Sequence, residues 1–258
     1  MTQTPDWELR TDIAHPARVY DYWLGGKDNF EADRAAAEVG LIDFPELLDY
    51  AVGNRKFLAR AVAFLRDQGI RQFLDIGSGF PTSPNVHEVV GPDAKVVYVD
   101  NDPMVFLHAE ALMAKTPDIR VIRADLRDHD SVLAQAGELI DFTQPTALLF
   151  VACLHHIPDE DEPAGIVARY LDRMTPGSYL ALSHFTSEFA PERVAPMTER
   201  SSRRGLTSVP RTRAAIDALF NDRELVEPGL VQVSYWRPDG VADPNADRVW
   251  ALGGVARV

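Results

Sequence analysis

The sequence predicts an α/β protein: a mostly parallel sheet with helices on both faces and an N-terminal helical extension. Three observations predict it. From about residue 70, apolar runs of strand length recur and alternate with stretches of helical character. The first run ends in a glycine turn, Asp75-Ile-Gly-Ser-Gly79. The chain before residue 70 lacks that alternation and carries helical spacing instead.

The apolar runs are Gln72 to Ile76, Val96 to Val99, Arg120 to Ala124, Ala147 to Val151 and Tyr179 to Ser183. They are short and continuously apolar, as strands buried on both faces are. Ser83-Pro84 reads as an N-cap with proline at the first helical position, and Gly91 as that helix's stop. Asp102-Pro103 repeats the start signal for a helix ending near Lys115. Ile166, Val167, Tyr170, Leu171 and Met174 carry the 3.6-residue spacing before Gly177. Strand then helix, repeated, implies right-handed crossovers and a sheet covered on both sides.

Upstream, residues 16–50 are aromatic and of mixed charge, with Gly25-Gly26 as a break. Asn54 is placed to cap a helix carrying Phe57, Leu58, Ala61, Val62 and Leu65 on one face, ending at Gly69. The division expected is a helical extension over residues 1–52, serving as a lid or as core, packed on a domain over residues 53–258. Downstream, a polar segment runs from Thr186 to Arg213, then a helix from Thr212 to Phe220. The last two runs, Leu230 to Trp236 and Val249 to Val258, suit an antiparallel pair joined through Pro238, Asp239, Gly240 and Pro244.

Composition excludes several classes. The 258 residues hold 26 Lys+Arg against 39 Asp+Glu, a net charge of −13, which opposes general nucleic-acid binding and docking on an anionic membrane. A single cysteine, Cys153, permits no disulfide framework and no Cys-rich zinc site. No run of 18 apolar residues forms a membrane span, and the N-terminal residues lack a signal peptide's basic and apolar regions, so the expected location is cytoplasmic. Nothing in the sequence reports an oligomeric state.

The chemistry lies at the strand ends. Glycines after a parallel strand let a ligand approach the backbone. The dinucleotide fingerprint G-x-G-x-x-G is absent, because Thr82 stands at its third glycine and Asp75 precedes the first. An acid there disfavours a pyrophosphate and suits a cationic amine. Asp100 closes the second strand, 23 residues after Gly77, the distance for a carboxylate that accepts from ribose hydroxyls. Asp125 closes the third and suits an adenine amino group.

These features together resemble the class I S-adenosylmethionine-dependent methyltransferases, over about residues 55–185. A closer resemblance, to an actinobacterial S-adenosyl methyltransferase family formerly listed as a domain of unknown function, covers nearly the whole chain. It is carried by Ala17-Arg-Val-Tyr-Asp-Tyr-Trp-Leu-Gly-Gly-Lys-Asp-Asn-Phe30, Phe73-Leu-Asp-Ile-Gly-Ser-Gly-Phe-Pro-Thr82, Asn85-Val-His-Glu88, Val97-Tyr-Val-Asp-Asn-Asp-Pro103, Ala124-Asp-Leu-Arg-Asp128 and Trp236-Arg-Pro-Asp239. The resemblance implies a Rossmann-like, seven-stranded sheet and S-adenosyl-L-methionine (SAM) as cofactor. By position, it implies Asp75, Gly77, Ser78 and Gly79 around the methionine end. It further implies Asp100 on the ribose, Asn101 beside the adenine, and Asp125 and Leu126 at the adenine edge and face. It supplies no acceptor.

Methyl transfer from a sulfonium needs alignment and exclusion of water, and a base only where the acceptor must lose a proton. His155 and His156, after the fourth strand, are the candidate bases, and adjacent side chains in a turn diverge, so one of them is expected to face the pocket. Tyr20, a catalytic candidate, and Tyr22, a cofactor-binding one, with Trp23, Arg18, Lys27 and Asn29, are expected to fold across the site, where an aromatic face attracts a sulfonium. Arg55 is a candidate partner for the cofactor's carboxylate. His155, His156, Asp159, Glu160 and Asp161 raise a metal reading, but acids at a helix start more simply offset its dipole, so no metal is expected. Arg193, Arg200, Arg203, Arg204, Arg211 and Arg213 read as a solvated face partly neutralised by Glu188, Glu192 and Glu199. The function expected is a SAM-dependent methyltransferase acting on a small molecule. The competing readings are a non-catalytic module that binds SAM or its demethylated product, S-adenosylhomocysteine (SAH), and a nicotinamide oxidoreductase.

Overall fold

A computed structural model describes residues 9–113, 116–240 and 243–258. The N-terminal residues read above for a signal peptide, and the helix end near Lys115, lie outside the described residues. Three helices come first: α1 (Pro16–Trp23), α2 (Glu31–Asp43) and α3 (Leu47–Asp67). Strands and helices then alternate as β1 (Gln72–Ile76), α4 (Val86–Val90), β2 (Lys95–Asp100), α5 (Pro103–Met113), β3 (Ile119–Arg123), α6 (His129–Ala136), β4 (Ala147–Val151), α7 (Pro163–Leu171) and β5 (Tyr179–Phe185). The chain ends with α8 (Pro191–Ser202), α9 (Arg213–Asp217), β6 (Val231–Gln232) and β7 (Ala251–Arg257).

The strands form one seven-stranded sheet in the order β3-β2-β1-β4-β5-β7-β6. β1 to β5 pair in parallel, whereas β7 runs antiparallel to both β5 and β6. Strand order reverses between β1 and β4, which opens a crevice beyond their carboxyl ends. The two-residue period of a strand sends alternate side chains to opposite cores. Phe73, Val96, Tyr98, Ala147 and Leu149 pack on the α3 side. Leu74, Val97, Val99, Leu148 and Phe150 pack against residues of α6, α7 and α9.

Several local expectations are corrected. Asn54 does not cap a helix, because α3 begins seven residues earlier and its buried face runs Leu47, Tyr50, Ala51, Asn54, Phe57, Leu58 and Ala61. Asn54 is the polar member of that face. α3 itself runs without a break from Leu47 to Asp67. The Ser83-Pro84 start signal is displaced: Asn85 is the N-cap of α4, and Glu88 Oε2 accepts from the Asn85 amide at 2.6 Å in a capping box. The run from Leu230 to Trp236 is a strand only at Val231–Gln232, before a 3₁₀ turn that drives Trp236 into the core between Phe57 and Phe64. The polar segment from Thr186 to Arg213 contains a helix, α8, whose buried residues are only Val194 and Met197, which explains its weak apolar signal.

The N-terminal helices are fastened by buried charge. Arg18 is 2% exposed and its guanidinium lies 2.8 Å from Asp102 Oδ2. Asp102 also caps α5, its Oδ1 accepting from the Met104 amide at 2.7 Å. Asp33, fully buried, accepts from the amides of His15 and Phe30, both at 2.8 Å. Arg18 is therefore neither solvated nor directed at a ligand; it joins α1 to the end of the sheet.

Candidate active site

A cavity of about 380 Å³ opens at the carboxyl ends of β1, β2 and β4, roofed by α1 and walled by α3. Its volume lies in the range of small-molecule sites.

On the β1 side, the glycine turn is tied to the neighbouring strand: the amides of Gly77 and Ser78 donate to Val99 O, at 2.8 and 3.1 Å. Gly77 has φ +70°, and a Cβ there would lie 2.6 Å from Cys153 Cβ, so glycine is required by both conformation and space. Gly79 has φ +66°, and a Cβ there would meet nothing within 4 Å. The amide of Gly79 donates to Asp100 Oδ2 at 2.9 Å, and the amide of Asp102 donates to Oδ1 at 2.9 Å. Each carboxylate oxygen has two lone pairs, so Asp100 keeps acceptor capacity on both. Burial pushes its pKa up. Asp75 is 4% exposed, and among the described residues nothing donates to its carboxylate. Burial raises its pKa to about 7, against the lowering influence of Arg55.

Farther along, Asn101, Asp125 and Leu126 line the cavity. Asn101 Oδ1 lies 3.2 Å from His15 Nε2. Asp125 is gripped by Arg127 through both carboxylate oxygens, at 2.9 and 2.6 Å, and this charge-assisted pairing lowers its pKa. Arg127 also reaches Asp161 at 2.8 Å. Arg55 lines the cavity with one terminal nitrogen donating to Thr82 O and to Pro84 O.

His155 and His156 occupy a 3₁₀ turn, Leu154–His156, which rotates successive side chains by about 120°. They diverge accordingly. His156 lines the cavity. His155 does not; it is buried beside Tyr50, His184 and Phe185, its Nδ1 has no partner, and desolvation drives its pKa well down. His155 is thereby removed from the candidate bases. The Nδ1 of His156 lies 2.7 Å from Thr207 O, and burial lowers its pKa to about 4. The turn is braced by a cation the sequence reading left in solvent. Arg211 is 7% exposed and donates to Leu154 O at 3.0 Å, Ile157 O at 2.8 Å, Asp159 Oδ1 at 2.6 Å and His184 Nε2 at 2.8 Å. Asp159 and Asp161 thus answer to Arg211 and Arg127.

Tyr20 lines the cavity from α1 and donates to Ala51 O at 2.9 Å. Burial pushes its phenol up to about 12. Asn54 joins it to the sheet, donating to Tyr20 Oη at 3.2 Å and accepting from Ser183 Oγ, which in turn accepts from the Ala152 amide at 3.1 Å. Ala152, at the end of β4, has φ +56°, an uncommon conformation for a non-glycine residue. Tyr22 is corrected: it lies outside the cavity, packed on the α1–α2 cluster with its hydroxyl 3.3 Å from Glu38. An α-helix separates residues two apart by about 200°, so Tyr20 and Tyr22 face opposite ways.

Among the cavity-lining residues that the sequence does not mark as site candidates are Asn54, Thr207 and His15. Thr207 contributes a carbonyl, which carries no residue-type signal. The unusual polar position of Asn54 inside an apolar helical face was legible, and was read as a cap.

The model of the family described as S-adenosyl methyltransferase matches residues 2–258. The chain belongs to the S-adenosyl methyltransferase family. It is a SAM-dependent methyltransferase with the Rossmann-like class I fold. A DUF574 family protein from Streptomyces avermitilis is 41% identical, with a TM-score of 0.90 over 97% of this chain and 99% of that one. A candidate methyltransferase from Thermobifida fusca YX is also 41% identical, with a TM-score of 0.90 over 100% of this chain and 99% of its own. The N-methyltransferase NodS from Bradyrhizobium japonicum, solved with SAH, shares the fold at 13% identity and a TM-score of 0.50, over 93% and 98% of the two chains. No curated protein matches.

The site's own chemistry fits SAM. Asp75 is a buried acid without a donor and calls for a cation. Asp100 has unused acceptor capacity beside the glycine turn. Gly79 leaves open space where a side chain would stand.

Proposed function

We propose that the protein transfers the methyl group of SAM to a small-molecule acceptor held between α1, α3 and the end of β4. The observation that carries this reading is the pair of buried carboxylates at the ends of β1 and β2, Asp75 without a donor and Asp100 with lone pairs to spare. When bound, SAM supplies a methyl group activated by a cationic sulfur.

Asp75 pairs with the α-ammonium, and Arg55, whose Nε and second terminal nitrogen meet no acceptor among the described residues, pairs with the carboxylate. The turn from Gly77 to Gly79, including Ser78, lies against the methionine end. Asp100 accepts from the ribose hydroxyls. Asn101 and Leu126 flank the adenine, and Asp125 accepts from its amino group while held by Arg127. Residues before 53 act as the roof of the site and exclude water, with Tyr20 fixed through Asn54. His156 receives the acceptor. The acidic chain and the small volume of the cavity favour a small molecule over a nucleic acid.

Thermal denaturation with SAM, SAH and NAD tests the reading, since a ligand of the native state raises the melting temperature. SAM and SAH raise it and NAD does not; a shift with NAD alone overturns the assignment.

A further inference from the structure

We propose that the acceptor is an uncharged small molecule whose nucleophile is a hydroxyl group, received as a hydrogen-bond donor by His156 Nε2. The inference rests on the SAM reading of the same cavity and goes beyond it to the acceptor's chemistry.

The first observation is a locked tautomer. Thr207 O has no hydrogen, so the 2.7 Å contact requires His156 Nδ1 to carry the proton. With its pKa lowered to about 4, the half-buried ring is neutral at pH 7, which leaves Nε2 with a lone pair and no proton. No described residue donates to it. The ring's surroundings are held on both sides. The Val209 amide donates to His155 O at 2.7 Å, and Arg211 clamps Leu154 O and Ile157 O. The cavity therefore offers this position an acceptor, and the complementary group is an O–H or N–H.

The second observation is charge. The formally charged side chains lining the cavity are Asp21, Asp75, Asp100, Asp125, Arg55 and Arg127. Arg127 is bound to Asp125 and Asp161, and Arg55 to two loop carbonyls, with its remaining donors assigned to the cofactor's carboxylate. Among the described residues, a carboxylate or phosphate acceptor finds no uncommitted protein cation in the cavity and faces an excess of acids. An ammonium fits the charge but has no lone pair until it has lost its proton, whereas a hydroxyl attacks with its proton in place and becomes acidic enough for a weak base only as the O–C bond forms. A hydroxyl keeps its lone pairs while Nε2 holds its proton. As its oxygen bonds to the methyl carbon, the methyl–sulfur bond breaks with the electron pair kept by sulfur, and the hydroxyl proton passes to Nε2. Tyr20, Leu24 and Leu58 give the cavity apolar walls suited to an aromatic or aliphatic body.

The test uses four size-matched probes on SAH-loaded protein at pH 7: phenol, benzoate, benzylamine and toluene, titrated by ligand-observed NMR. SAH loading is verified beforehand by thermal shift; if SAH does not bind, the cofactor reading itself fails and this inference falls with it. With SAH bound, phenol is expected to bind more tightly than each of the other three. His156→Phe, which keeps a ring but removes the acceptor, should weaken phenol by roughly 3–10-fold and leave toluene and SAH unchanged. Benzoate or benzylamine binding as tightly as phenol overturns the proposal while the cofactor reading stands. So does phenol affinity that is absent, or indifferent to His156→Phe in a variant that still binds SAH.

Discussion

The Gly79 amide donates to Asp100 Oδ2 at 2.9 Å, so one hydrogen bond ties the turn after β1 to the end of β2. Turn and acid are thus set relative to one another by the protein before any ligand arrives. Asp100→Ala removes both that brace and the proposed ribose acceptor. SAM affinity, measured by isothermal titration, is expected to fall by about 1–3 kcal/mol. Unchanged affinity in a folded variant places the ribose elsewhere.

Asp75 sets a pH dependence. Its folded pKa, raised to about 7, exceeds the ordinary 3.8. An acid with a raised folded pKa contributes stability that is full below its unfolded pKa and is lost as pH rises through the folded one. The protein without ligand therefore loses Asp75's contribution between about pH 4 and pH 7. SAM's ammonium favours the ionised carboxyl, so SAM affinity rises over that window and levels near pH 7. Asp75→Asn should flatten the rise; an equal slope in wild type and variant removes Asp75 from the site. Comparison with the variant is needed because His156 and His184, whose pKa values burial lowers to about 4 and about 3, add a loss of stability of opposite sign as pH falls below 6.5.

Arg211 holds the turn that carries His156. In ¹⁵N-histidine spectra at pH 7, His156 is expected as the neutral Nδ1–H tautomer. Arg211→Met should raise its pKa toward the ordinary value and mix the tautomers, by releasing Leu154 O and Ile157 O. A His156 signal identical in the two proteins shows that Thr207 alone suffices.

Arg18→Met leaves Asp102 buried without its cation. Breaking a buried pair on one side costs about 3–5 kcal/mol, to be read from urea denaturation. A loss below about 1 kcal/mol, the range of an exposed pair, shows that α1 is not fastened through this contact.

The parallel sheet was legible because its strands are buried on both faces, so their apolar runs needed no partner to be seen. The acids at the ends of β1, β2 and β3 were legible because Asp75 lies within the last residues of such a run and Asp100 and Asp125 directly follow theirs. What escaped depended on contacts distant in sequence. Asn54 reaches Ser183 across 129 positions, Arg18 pairs with the acid that caps α5, and Arg211 is buried by carbonyls of another loop. Composition marks such residues as polar and therefore as surface, and only the fold reveals their partners. β6 was overread because Val233 and Trp236 supply strand-like apolarity while packing from a 3₁₀ turn.

A crystal structure with SAH addresses the central claim most directly. The account predicts the amino group against Asp75, both ribose hydroxyls on Asp100 and the purine between Asn101 and Leu126. SAH bound in the reverse sense, with the purine at Asp75, or bound outside the β1–β4 crevice, contradicts it.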